Sequence, residues 1–153
     1  GTTQTSAVVT FTVRKTATET VNNSSTLQND DVLFLPMAAN EIWYFTVSLT
    51  VTSDATADFK FAFTYPTGGS GRWSCVGPKL NVSDALAQCE HGTSSGDAIS
   101  VGGATGGNFL TIMGVVVNGS TAGNLQFQWA QSTATVSDTN VLINSYLVAW
   151  RQQ

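Results

Sequence analysis

Charge is what this sequence has least of. Only 10% of its 153 residues are Asp, Glu, Lys or Arg, against roughly 25% in an ordinary soluble domain. Six Lys and Arg are spread thinly along the chain, and ten Asp and Glu leave a formal net charge of −4. Without a basic stripe nothing can track a phosphate backbone, which argues against nucleic acid and anionic membrane surfaces as partners. No apolar run approaches the roughly 20 residues of a membrane helix, so no membrane insertion is expected. No basic segment followed by an apolar one opens the chain. It starts at Gly1 rather than Met, as a processed end, an engineered end or a cut from a longer polypeptide would.

The residues that usually carry chemistry are equally scarce. The one histidine, His91, lies two residues from Cys89. On a strand the two would share a face, but nucleophilic catalysis also needs an orienting group, and no spacing supplies one. Cys75, Cys89 and His91 give three zinc ligands at most, at a spacing unlike a zinc finger. The acidic clusters Asn29-Asp30-Asp31 and Asp54 with Asp58 sit in no calcium-loop pattern and read as turn residues. Ten carboxyls include no pair marked out for glycoside hydrolysis. Gly102 to Gly107 lacks the Lys-Ser/Thr ending of a phosphate loop and reads as a flexible turn. No enzyme activity, cofactor or metal is expected. Cys75 and Cys89 permit one disulfide closing about fifteen residues, worth roughly 3 kcal/mol in the chain-entropy model; two buried thiols fit the sequence as well. Asn23, Asn81 and Asn118 open formal glycosylation sequons.

What is plentiful is period-two alternation, with 42% of residues hydrophobic. Trp43, Phe45, Val47, Leu49 and Val51 alternate with polar residues, as do Phe59, Phe61, Phe63 and Tyr65, which is the signature of half-buried strands. The short Asp54–Ala57 link between them predicts a hairpin or close neighbours. Further strands are expected near Ala7–Val13, Val32–Leu35, Phe109–Val117, Leu125–Trp129 and Val141–Trp150. Only Val82–Gln88 looks briefly helical, and 72–107 reads as one irregular insertion. Regularly spaced strands without helices predict a sandwich or barrel of one domain, 1–153, with 1–10 as a possible N-terminal arm, and an antiparallel sandwich is the expected fold.

Two strands break the one-sided rule. In 109–117 and 141–150 both faces are mostly apolar, whereas a lone sandwich wets one face of each antiparallel strand. The cover is either the 72–107 segment or another copy, and with so little charge elsewhere another copy is favoured. The interface candidates are Phe109, Ile112, Val115 and Val117 in the first, and Leu142, Tyr146, Val148 and Trp150 in the second. Trp43 and Trp129 fall in phase with apolar neighbours and are expected in the core. Trp73 follows a glycine-rich turn beside Arg72; burial in the core or an interface is the favoured reading of it, and the other is a candidate ligand or adhesion surface with Arg72 and Lys79, Trp73 stacking on a sugar.

Several segments carry a resemblance. Thr20 to Asp31, Leu33-Phe34, Ala38 to Glu41, Asp58 to Thr64 ending at Pro66, Leu125 to Gln131, Ser145 to Leu147 and Trp150-Arg151 together resemble the β-sandwich (jelly-roll-type) module of tailed-bacteriophage virion structural proteins. The likeness spans roughly 10–66 and 108–151 and departs in the cysteine-bearing middle, which looks like an insertion. It implies a jelly-roll-like, trimer-forming domain on the surface of a phage particle. The expected role is a capsid decoration or head-fibre protein, with its own copies and the major capsid or tail protein as partners. The alternative is a tail-fibre tip or minor tail module that binds host surface glycan. No catalytic residue carries over.

Overall fold

The computed structural model of the chain describes residues 8–81 and 85–152, and at 88–91 the backbone alone. Every regular element among them is a strand, and no helix is long and apolar enough to cross a membrane. Twelve strands run in order: β1 Thr10–Arg14, β2 Glu19–Val21, β3 Gln28–Met37, β4 Ile42–Thr52, β5 Phe59–Thr64, β6 Ser70–Pro78, β7 Leu86–His91, β8 Ile99–Val101, β9 Asn108–Val117, β10 Gly123–Gln131, β11 Thr139–Val141 and β12 Tyr146–Arg151. They form two antiparallel sheets. The first has the order β1-β12-β4-β9-β6-β7, with β11 pairing β4 and β2; the second has the order β3-β10-β5-β8.

The alternation predicted for β4 holds: Trp43, Phe45, Val47, Leu49 and Val51 all point inward and are buried. From the opposite sheet Phe59, Phe61 and Phe63 of β5 meet them, with Phe127 and Trp129 of β10 alongside. The rings of Phe45 and Phe63 lie 5.0 Å apart between the sheets, and those of Phe63 and Trp73 5.3 Å apart. Such tilted aromatic pairs add to the burial of their large apolar areas. Pro36 sits on β3, an edge strand of the second sheet, where a missing ladder N–H is tolerated.

Four expectations are corrected. First, β4 and β5 are not a hairpin, because they lie in different sheets. The Asp54 carbonyl accepts from the amides of Ala57 and Asp58, and Asp58 takes a positive φ of 52°, so the link crosses between layers. Second, 72–107 is not an irregular excursion. β6 pairs with β9 on one side and β7 on the other, and β8 edges the second sheet. Third, Leu86–Gln88 of the suggested helix begins β7, while 82–84 lie outside the described residues. Fourth, the final strand is two. Asn144 at φ 74° and a bond from the Ser145 amide to the Leu142 carbonyl turn the chain between β11 and β12. β1 starts at Thr10, and 1–7 of the suggested arm lie outside the described residues.

Lys15 is 1% exposed. Its ammonium donates to Asp30 Oδ2 at 2.7 Å and Glu19 Oε2 at 2.6 Å. Asp30 also accepts from the Trp129 indole and from the amides of Val32 and Leu33. A buried charge survives only when it is paired and hydrogen-bonded in this way. The network ties the end of β1 to β2, β3 and β10.

Candidate functional site

The outer face of the first sheet is the unusual surface. The register sets its side chains in rows across five strands. One row runs Thr10, Trp150, Tyr44, Val115, Arg72; the next runs Thr12, Val148, Thr46, Met113, Ser74; a third runs Arg14, Tyr146, Ser48, Thr111, Val76. Val117 and Phe109 stand at the two ends of β9 on the same face. Phe109 is 61% exposed, Tyr44 57% and Met113 51%.

The second sheet supplies the contrast. Among the described residues, every large hydrophobic side chain that is exposed within a strand belongs to the first sheet. The outward positions of β10 carry Asn124, Gln126 and Gln128 instead. Single exposed apolar residues are ordinary, but contiguous rows mark a contact surface. Among the described residues, the most exposed large apolar side chains within strands therefore gather on one wall of the sandwich.

Most interface candidates are placed on this wall: Phe109, Val115 and Val117 on β9, and Tyr146, Val148 and Trp150 on β12. Two are corrected. Ile112 is 0% exposed; β9 alternates, and the even positions 110, 112 and 116 enter the core. Leu142 sits in the turn before β12, its amide bonded to the Thr50 carbonyl. Tyr44 and Met113 were missed because their strand and their neighbours suggested a wet face and a generic apolar run. Alternation counted outward from Trp43 and Ile112 finds both.

The adhesion surface of Arg72, Trp73 and Lys79 does not assemble. Trp73 is buried to 4% exposure on the inward face of β6, where Phe63 and Tyr65 pack against its ring. Arg72 points outward at one end of the strand, and Lys79 follows its other end, about 23 Å away at the usual strand rise. Arg72 does line an open depression of about 800 Å³ with Tyr44, Met113, Thr93 and Asp97, and Trp73 forms part of its wall. The Trp73 indole N–H has no acceptor among the described residues.

The remaining polar groups serve the fold. Asp54 accepts from the Thr56 amide and hydroxyl, which hold its carboxyl below the usual range. Asp58 accepts from the Gly103 amide. Asn118 is buried, its amide nitrogen donating to the carbonyls of Ala38 and Thr121, so that sequon is closed. Gly102 and Gly103 pack directly on the Lys79 and Asp54 carbonyls, whereas a Cβ on Gly106 would meet nothing within 4 Å. Glu41 fixes the start of β4 to the chain end: it accepts from the Trp43 indole, the Ala38 amide and Arg151. Burial is the largest single influence on its carboxyl and pushes it up, but these bonds together outweigh it and leave it lowered. Burial raises Glu19 instead. Among the described residues no three His, Cys, Asp or Glu side chains gather as metal ligands. Cys75 is buried on β6; the side chain of Cys89 lies outside the described residues, as does that of His91.

No protein-family profile matches the chain, and no curated protein does. Among solved structures, similarity reaches those of infectious bursal disease virus. The Gt strain structure shares 6% identity at a TM-score of 0.22, over 95% of this chain and 38% of that one. The VP2 subviral particle shares 9% identity at a TM-score of 0.22, over 95% and 39%. The chain spans about two fifths of the length of those proteins. TM-scores of this size establish neither a shared fold nor a shared function, so the functional reading rests on the molecule's own surface.

Proposed function

We propose that the protein is a structural component of a tailed-bacteriophage virion, without catalytic activity, that assembles as a homotrimer through the outer face of its first sheet. A capsid decoration or head fibre on the particle surface is the role we favour, with the major capsid or tail protein as further partner. One observation carries the reading: among the described residues, the exposed large apolar side chains within strands all lie on one sheet. A specific interface buries on the order of 800 Å² per partner, and a five-strand face that sets Tyr44, Phe109, Met113, Val115, Tyr146 and Trp150 among threonines and serines can supply that area. The sequence resemblance to phage virion modules supplies the setting. Light scattering on the purified chain at micromolar concentration is expected to give the mass of three copies. A monomer at that concentration would overturn the reading.

A second reading, a fibre tip that binds host polysaccharide, is favoured by the depression beside Arg72. Its Tyr44 ring and the Arg72 guanidinium suit a ligand rich in hydroxyl groups. A glycan array probed with the native chain tests it: retained sugar that Arg72→Ala releases supports it, and no retained glycan removes it.

A further inference from the structure

We propose that Cys75 and Cys89 form a disulfide that locks the edge strand β7 to the sheet. The register of β6 and β7 sets Cys75 directly opposite Cys89, with unbroken pairing from Trp73 opposite His91 to Pro78 opposite Leu86. Directly opposed residues of antiparallel strands share a face, with Cα atoms about 4.5–5.5 Å apart. That separation lies within the range a disulfide spans without backbone movement. Cys75 points inward and is 1% exposed. The chain holds only these two cysteines, which leaves one possible intramolecular pairing.

The bond has a mechanical purpose. β7 is the edge of the first sheet and is held by β6 alone. Just beyond it, Gly92 lies against the Trp73 indole so closely that a Cβ there would stand 1.9 Å from Cε2. Closing Cys75 to Cys89 holds β7, and with it this glycine, over the ring. In chemical terms two thiols are oxidised to one S–S bond. An acceptor disulfide such as oxidised glutathione takes the two electrons and two protons and leaves as two thiols, through a mixed-disulfide intermediate. A stable bond of this kind belongs to protein held outside a reducing cytosol.

The test treats the purified full chain with oxidised glutathione, denatures it, alkylates it with iodoacetamide and measures its intact mass. The expected result is a monomer mass with no alkyl group, and two alkyl groups once the sample is reduced first. Thermal unfolding followed by tryptophan fluorescence should shift down on reduction of the native chain, and reductant should leave the midpoint of Cys89→Ala unmoved. Two alkylated thiols after oxidation, a glutathione adduct retained on either cysteine, or a covalent dimer would each overturn the proposal. The mass measurement needs no variant, so it holds even if Cys89→Ala fails to fold.

Discussion

At the scale of single residues, the buried Lys15 with its two carboxylates is a costly arrangement to build. Desolvating an ion costs several kcal/mol unless its partners are well placed. Here every member has them: Glu19 and Asp30 on the ammonium, and Trp129 with two backbone amides on Asp30. None of this was legible in the sequence, where Asp30 read as a turn residue and nothing singled out Lys15. Two of the carboxylates with shifted titration, Glu19 and Glu41, predict opposite pH behaviour. Glu19 is raised above its ordinary value of 4.5, chiefly by burial, so folding takes up a proton there. Its contribution is fully present below that value and is lost as pH rises through the folded pKa. Glu41 is lowered, so its contribution is present above 4.5 and lost as pH falls through the folded pKa. Urea unfolding from acid to neutral pH should therefore show the native chain losing stability relative to Glu19→Gln as pH climbs past 4.5. Against Glu41→Gln it should gain stability over the acid range and then hold level. Parallel curves for either pair would contradict the assignment.

At the scale of elements, legibility followed the weight of inward side chains. β4 and β5 place an aromatic or aliphatic residue at nearly every inward position, and alternation found both. β6 alternates as strictly, with Gly71, Trp73, Cys75 and Gly77 inward and buried, but two of those four are glycines with no apolar signal. Neighbouring side chains fill the space: a Cβ on Gly77 would stand 2.5 Å from Leu110 Cδ1, and one on Gly71 3.0 Å from the Tyr65 ring. The same logic governs Gly114 on β9, where a Cβ would stand 2.5 Å from Phe45 Cζ and 2.7 Å from the Arg72 carbonyl. Layer assignment was less legible still, since nothing in Asp54–Ala57 distinguishes a hairpin from a crossing. The glycines give a prediction. Gly114→Val forces the Phe45 ring and the β6 backbone apart and should cost about 1–3 kcal/mol or more as overpacking. Gly106→Ala meets nothing within 4 Å and should be neutral or slightly stabilising, by up to about 1 kcal/mol. Equal urea midpoints for the two variants would refute the packing argument.

At the scale of the whole molecule, the two outer walls differ in kind, and the proposed trimer follows from that difference. The sequence already pointed to a surplus of apolar residues in 109–117 and 141–150. The structure sheltered Ile112, left Phe109, Tyr146 and Trp150 exposed, and added Tyr44 and Met113 to them. Met113 lies on β9 between Thr46 of β4 and Ser74 of β6, in the middle of the face. A lysine there is tolerated by the monomer, because the position is open to water. In an assembly it would bury an unpaired cation in each copy. That costs at least about 3 kcal/mol, or roughly a hundredfold in dissociation constant. Asn124→Lys, exposed on the second sheet, should leave association unchanged. The outer face carries few charges, so association of the native chain should barely respond to sodium chloride and should tighten in ammonium sulfate, which strengthens apolar burial. Sedimentation of the three proteins across both salts measures all of this. A native trimer that Met113→Lys leaves intact, or that sodium chloride dissolves, would place the contact on some other surface held by other forces.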